Sequence, residues 1–235
     1  LLVGSIGIYF GSNNSDDTFY IIPIKEISEL REISKNSNPP TLDSLDSHKK
    51  LVDLKKLDDE FQLDIRYAST NNFMRSKFYK NERAFFNMSA ADRLIEAKNE
   101  LKKLGYGIII YDAYRPWFVT KMFWEGTPKN LKHFVANPEN GSSHNKGCAI
   151  DIGLYDIETG ESIVMISGYD EFTERAYPNY MGGSKKQRDI RDMLIKVMER
   201  NDFTVYEYEW WHFNYNGCES GIMNYSFEEL DSISS

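Results

Sequence analysis

Ser89–Asp112 reads SAADRLIEAKNELKKLGYGIIIYD, and its two halves repeat with different periods. Ser89 with Asp92 three residues on is a variant of the capping box, and Leu94, Ala97, Leu101 and Leu104 then fall on one face of a helix. Gly105 ends that helix. Gly107-Ile108-Ile109-Ile110-Tyr111 follows as a short β-branched run suited to a buried strand. Working outward, Ile190, Met193, Leu194, Val197 and Met198 recur at a spacing near 3.6. They predict a second helix from about Ser184 to Asn201, with Phe203 to Tyr215 as a strand after it. Another strand is expected around Asp151. The order helix, strand, strand, helix, strand predicts an α+β domain, expected as a central, mainly antiparallel sheet flanked by helices. Lys121–Gly141 and Tyr155–Gly183 carry Pro and Gly and read as long loops, the usual walls of an active site.

The chain has 235 residues, room for one catalytic domain and an appendage. Hydrophobic residues make up 41% and aromatic residues 14%, enough to fill a core. A net charge of −8 with no dense Lys/Arg run excludes the electrostatic footprint of a nucleic-acid binder. Leu1 to Phe10 is apolar and breaks into the polar Gly11–Asp17. Ten residues are too few to span a bilayer, so this stretch is expected to be the remnant of a signal sequence or membrane anchor. That reading places the protein outside the cytoplasm, with a membrane tether at the N-terminus. A buried N-terminal strand, with a cytoplasmic protein, is the alternative. Ser34 to Lys50 is rich in Ser, Asn, Asp and Lys around Pro39-Pro40 and reads as a linker. Residues 1–50 are therefore taken as an N-terminal segment and linker, and 51–235 as the catalytic domain. Cys148 and Cys218 leave one bridge or two free thiols open.

Chemistry concentrates in two segments, Ser142-Ser143-His144-Asn145-Lys146-Gly147-Cys148-Ala149-Ile150-Asp151 and Glu209-Trp210-Trp211-His212. Two histidines and a carboxylate are a ligand set for catalytic zinc, which keeps three protein ligands and leaves a position for water. His144, Asp151 and His212 are the expected ligands of one zinc per chain. Glu209, three residues before a ligand, can then act on the water as a base. Alternation along a strand would send Glu209 and His212 to opposite faces, so a bend or bulge is required between them. His144 and Asp151 have the same parity problem, and Gly147 is placed to supply the turn. His144 is expected on a loop and Asp151 within a strand. Trp210 and Trp211 are read as core or pocket-wall residues, and His48 and His133 as surface or hydrogen-bonded ones. Cys148 is read as a small buried residue facing away from the site. Arg115, in Asp112-Ala113-Tyr114-Arg115-Pro116 at the end of the buried strand, suits oxyanion stabilisation or a substrate carboxylate. A structural ion pair with Asp112 is the plainer alternative.

Ser142-x-His144-x-x-Gly147-x-Ala149-x-Asp151 with Glu209-x-Trp211-His212 resembles the zinc D,D-peptidases that cut peptidoglycan-type peptides. Asp64–Phe73, Asp112–Pro116, Tyr169-Asp170-Glu171-Phe172 and Glu209–Phe213 narrow the resemblance to the D-alanyl-D-alanine dipeptidase branch, over about Leu51 to Tyr215. Ile166-Ser167-Gly168 departs from the Gly-Thr-rich run of that branch. The resemblance implies zinc on His144, Asp151 and His212, Glu209 as general base and then acid, and Arg115 on the tetrahedral intermediate. It implies that Asp170 and Tyr67 hold the substrate's free amino group and that Ser142 helps position a dipeptide of D-amino acids. A D,D-carboxypeptidase or peptidoglycan endopeptidase is the nearest rival, and an inactive metal-binding module the next.

Overall fold

A computed structural model describes residues 19–44 and 47–233. The apolar Leu1–Phe10 lies outside the described residues. Seven short or medium strands are present among them: β1 (Leu51–Asp53), β2 (Gln62–Leu63), β3 (Phe85–Asn87), β4 (Tyr106–Asp112), β5 (Ala149–Asp156), β6 (Phe203–Tyr206) and β7 (Glu209–Tyr215). The helices are α1 (Ile27–Lys35), α2 (Leu54–Leu57), α3 (Met88–Lys103), α4 (Trp117–Gly126), α5 (Lys185–Arg200) and α6 (Phe227–Ile233). β1 and β3 form a small antiparallel ribbon, while the main sheet runs β2-β4-β5-β7-β6. Only β2 pairs parallel there; the remaining neighbours are antiparallel. The expected α+β architecture, a mainly antiparallel sheet flanked by helices, is what forms.

Register explains how one sheet serves both core and site. Directly paired residues share a face, and Ile108 with Leu154, Ile110 with Ile152 and Ile150 with Phe213 are all fully buried. Asp151 and its partner His212 therefore share the other face. β4 sits between β2 and β5, and its residues from Gly107 to Asp112 are buried throughout. That is why Gly107–Tyr111 reads as an unbroken apolar run without alternation. α3 and α5 pack on the sheet and on each other.

The expected α5 forms as read, with Ser184 and Gln187 exchanging capping-box hydrogen bonds and Asn201 at its end. α3 begins earlier than Ser89: the Asn87 side chain accepts from Ser89 N at 3.0 Å, so Asn87 is the cap. Leu104 is 54% exposed and contributes nothing to the buried face. Phe203–Tyr215 is a hairpin, since the chain turns at Glu207-Tyr208 without a Gly, Pro or Asn to mark it. Lys121–Gly141 is only partly loop, because Lys121–Gly126 completes α4. That helix buries Trp117, Val119, Thr120, Met122 and Phe123 around most of its circumference, so its amphipathic signal is weak. Its first turn is capped from afar, Phe118 N donating to Asn224 Oδ1 at 2.8 Å.

The stretch before residue 51 contributes α1, which packs on α4. Leu30 is fully buried there, a contact that stabilises by roughly 1.5–3 kcal/mol. Lys25 Nζ meets Glu125 Oε2 at 2.9 Å across the same junction, and Ile21 N donates to Phe73 O at 2.7 Å. Of the stretch Ser34–Lys50 read as a linker, Ser34 and Lys35 close α1, residues 36–44 are irregular and Ser47–Lys50 form a 3-10 turn. Among the described residues, no helix is long and apolar enough to cross a membrane.

Candidate metal and peptide site

Three departures from regular geometry bring the site together. Gly147, at φ +66°, ends the short 3-10 turn Ser143–Lys146 in the left-handed conformation that a Cβ disfavours. It redirects the chain from His144 in the turn to Asp151 in β5, as the parity argument required. On β7, Phe213 and Glu209 pair with the adjacent Val205 and Tyr206 of β6, so β7 bulges across Trp210, Trp211 and His212. The bulge brings Glu209 Oε2 to 3.8 Å from His212 Nδ1. On β4 the register slips between Ile110 and Asp112, setting Asp112 opposite Asp151.

His144 Nε2, His212 Nδ1 and Asp151 Oδ1 converge. The separations are 3.1 Å between the imidazoles, 3.3 Å from His144 to Asp151 and 3.0 Å from His212 to Asp151. All three residues are buried. His144 Nδ1 lies 2.6 Å from Ala113 O, which can only accept, so that nitrogen carries the proton. His212 Nε2 lies 3.2 Å from Asn214 Oδ1 and is likewise the protonated nitrogen. The inner nitrogens are left as lone pairs facing a carboxylate oxygen that is buried without a hydrogen-bond partner. Three acceptors this close suit a cation between them. Ligand atoms about 2.0–2.2 Å from a tetrahedral zinc lie roughly 3.3–3.6 Å apart, close to the spacing found. The donor set fits zinc. Among the described residues this is the cluster of His, Cys, Asp and Glu side chains able to hold a metal. Without a metal, burial opposes ionisation of Asp151, and positive charge and hydrogen bonds from imidazoles that take up a proton hold its carboxyl well below the usual range. Burial likewise opposes a charged His212, and Asp151 beside it still raises its affinity for positive charge.

Glu209 stands at the edge of this trio with a side chain 13% exposed. Burial first, and then Asp151, push its carboxyl up to about 7 in the metal-free protein, against the pull of His212 and Arg115. Arg115 is held by Asp112: Nε and Nη2 both donate to Oδ2 at 2.8 Å, and Tyr79 Oη donates to Oδ1 at 2.9 Å. The ion pair with Asp112, the plainer of the two readings, forms, and it leaves Arg115 Nη2 3.8 Å from Asp151 Oδ2. The guanidinium also lies over the rings of Tyr67 and Phe123, at 5.1 and 5.0 Å.

Asp170 lies on the far wall of the same cavity, and Tyr67 Oη contacts both of its carboxylate oxygens at 3.0 Å. Asp170 is buried and at φ +57°, a conformation few side chains adopt. Burial, with Asp151 and Glu209 nearby, raises its carboxyl well above the ordinary value. Ser142 caps the His144 turn, its Oγ accepting from His144 N at 3.3 Å, and lines the cavity. The cavity measures about 230 Å³, below the roughly 300–1,000 Å³ of pockets for drug-sized ligands. The structure gathers all eight sequence-derived site residues, Tyr67, Arg115, Ser142, His144, Asp151, Asp170, Glu209 and His212, around it. Both expected loops supply wall residues, Phe134 and Val135 from one and Phe172 from the other. Trp211 is wall and Trp210 is core. His48 and His133 lie outside the metal cluster.

Several residues escaped sequence reasoning. Asn145 is fully buried and donates through Nδ2 to Arg115 O at 2.8 Å and to Thr120 Oγ1 at 2.9 Å, locking the His144 turn to the Arg115 turn. Its position beside a ligand in a capping-box pattern was the available signal. Asn214 is two residues from His212 on one strand, hence on the same face. Tyr79 carried no signal, and Tyr169 was read only as part of the Tyr169–Phe172 resemblance, without a role of its own. Cys148 is bonded to Cys218 across 70 residues, which replaces the reading of Cys148 as a lone small side chain. The pairing of Ala149 with Asn214 brings the two segments side by side.

Residues 47–231 match the family model described as D-ala-D-ala dipeptidase. A D-alanyl-D-alanine dipeptidase of Escherichia coli K12 is 30% identical over 163 residues, 69% of this chain and 83% of the relative. One of Enterococcus faecium is 32% identical over 171 residues, covering 64% of this chain and 83% of its own length. A solved LD-carboxypeptidase structure overlaps 57% of this chain and 61% of its own, with 21% identity and a TM-score of 0.37.

Proposed function

This chain belongs to the D-alanyl-D-alanine dipeptidase family and is a peptidase, and from that premise we propose that it hydrolyses D-alanyl-D-alanine to two D-alanines with one zinc ion. One observation carries the reading. A small cavity presents a buried, cation-seeking carboxylate at Asp170 on one wall and the His144, Asp151 and His212 trio with Glu209 and Arg115 on another.

His144 Nε2, Asp151 Oδ1 and His212 Nδ1 would hold the metal. When bound, zinc supplies Lewis acidity, lowering the pKa of water toward about 7 and polarising a carbonyl. Glu209 takes the proton of the attacking water and returns it to the departing amine. Arg115, kept charged and oriented by Asp112, faces the oxygen on which negative charge develops. Asp170 ionises as the substrate's ammonium arrives, because a cation relieves the burial that otherwise keeps its proton on. Tyr67 steadies that carboxylate from behind. Ser142 borders the cavity beside His144, where it helps position the dipeptide.

A cavity of this size with a carboxylate for the free amine favours a dipeptide over a longer peptide, whose amide nitrogen carries no charge. Residues 51–235 form the catalytic domain in this proposal, with α1 strapped to it. The Cys148–Cys218 bond supports an extracytoplasmic location, since such bonds persist in oxidising compartments. The deciding experiment is release of D-alanine from D-Ala-D-Ala by the purified chain, with and without a zinc chelator, beside a tripeptide and a pentapeptide ending in D-Ala-D-Ala. Chelator-sensitive cleavage confined to the dipeptide is expected. Cleavage of the longer peptides would make the protein a carboxypeptidase or endopeptidase, and zinc uptake without cleavage would leave a binding module.

A further inference from the structure

Tyr169 stands between the two halves of the site and belongs to neither by the assignments above. It is 4% exposed, packed against Tyr111 at 4.9 Å and Trp211 at 5.4 Å between ring centres. Its hydroxyl contacts Asp151 Oδ2 at 2.8 Å and Tyr67 Oη at 3.3 Å. Each phenol has a single proton. The shorter contacts take them: Tyr169 donates to Asp151, and Tyr67 donates to Asp170 at 3.0 Å. The two hydroxyls are thereby left in contact, and a continuous row runs from Asp170 through Tyr67 and Tyr169 to Asp151.

Asp151 needs such a partner. Its Oδ1 is the atom turned to the imidazoles, and its Oδ2 has Arg115 Nη2 only at 3.8 Å. A carboxylate fixed at one oxygen alone can rotate about its Cβ–Cγ bond and leave the metal. We propose that Tyr169 is a positioning residue: its hydroxyl clamps Asp151 Oδ2, so that Oδ1 is presented to the metal. This rests on the metal reading of His144, Asp151 and His212, which the experiment tests separately.

Tyr169→Phe keeps the ring and its packing and removes the clamp. Tyr67→Phe removes the neighbouring hydroxyl of the same aromatic cluster and leaves Asp151 its donor. Metal-free wild type and both variants are titrated with zinc against a chromogenic chelator of known affinity, and their metal-free thermal midpoints are compared. Wild type is expected to take up one zinc per chain. Tyr169→Phe is expected to bind it about tenfold or more weakly, the usual loss when a ligand's supporting hydrogen bond goes. Tyr67→Phe should stay within twofold of wild type for zinc and show its effect in KM for the dipeptide. The metal-free midpoint of Tyr169→Phe should match that of Tyr67→Phe, which a general packing defect at residue 169 would prevent. Zinc affinity of Tyr169→Phe within twofold of wild type, or equal loss in both variants, overturns the inference alone. A wild-type chain that takes up no zinc overturns the metal reading and the inference with it.

Discussion

Replacing Glu209 with Gln should abolish turnover and, in the metal-free protein, stabilise the fold. The shape of the side chain is kept and its charge is removed. Burial raises the Glu209 carboxyl to about 7 from an ordinary 4.5. At about 1.4 kcal/mol for each tenfold change, the charged form costs the folded state about 3 kcal/mol. The sign follows from linkage: the folded pKa lies above the unfolded one, so the penalty is absent below about 4.5, grows through the interval and is complete above about 7. Glu209→Gln escapes it. For a domain of this size, about 3 kcal/mol is worth roughly 6–12 °C in Tm. The assay is thermal unfolding of chelator-treated wild type and variant at pH 5 and pH 8. The variant should gain several degrees at pH 8 and little at pH 5, while kcat of the zinc-loaded variant falls by about 10² or more with the loss of the base. A gain of equal size at both pH values, or none at pH 8, would refute the electrostatic account of Glu209. Near-full activity would refute its role as base.

Three further outcomes follow from the same geometry. With zinc in place a dication lies beside Glu209 and lowers its pKa, so kcat/KM should be lost as pH falls through a value below 7; an acid limb at or above 7 would contradict this. Asp112→Asn leaves the buried Arg115 guanidinium without its counter-charge, and removing one partner of a buried pair costs about 3–5 kcal/mol, read as a lowered urea midpoint together with reduced kcat. Reducing the Cys148–Cys218 bond, or replacing both cysteines with Ser, frees a 70-residue loop and should cost about 4 kcal/mol by chain entropy, measured by denaturant titration with and without reductant.

The sequence disclosed the site better than the framework. His144, Asp151, Glu209 and His212 were legible because two histidines and a carboxylate at short spacing form a metal-ligand pattern, and the parity of those spacings demanded the Gly147 turn and the β7 bulge that form. α5 was legible from its cap and its stripe. α4 and α1 were not, each for a tertiary reason. α4 is apolar on nearly every side because α1 covers the face that would otherwise meet solvent. α1 sits on a surface that exists only after α4 has folded. The β6–β7 turn was missed because Glu207 and Tyr208 are ordinary residues whose reversal is fixed by pairing on both sides. Tyr79 and Tyr169 are two among 15 tyrosines, and only three-dimensional placement distinguishes a hydroxyl that holds a carboxylate.

Charge accounts for the arrangement as a whole. Asp112, Asp151, Asp170 and Glu209 gather around a single guanidinium, that of Arg115, in a space largely closed to water. Such a cluster cannot stay fully ionised by itself, and the raised carboxyls of Asp112, Asp170 and Glu209 are where burial and mutual repulsion tell. In the proposed reaction a metal dication would answer the group on the His144 side and an ammonium would answer Asp170, and the site would reach its working protonation only with both bound. A free amine, and not merely a D-alanyl side chain, then becomes a condition of catalysis. N-propionyl-D-alanine, the dipeptide with its amine replaced by hydrogen, keeps the scissile bond and fits the same volume, yet brings Asp170 no cation. It should be cut far more slowly than the free dipeptide, whereas comparable kcat/KM for the two would show that Asp170 does not read the amine.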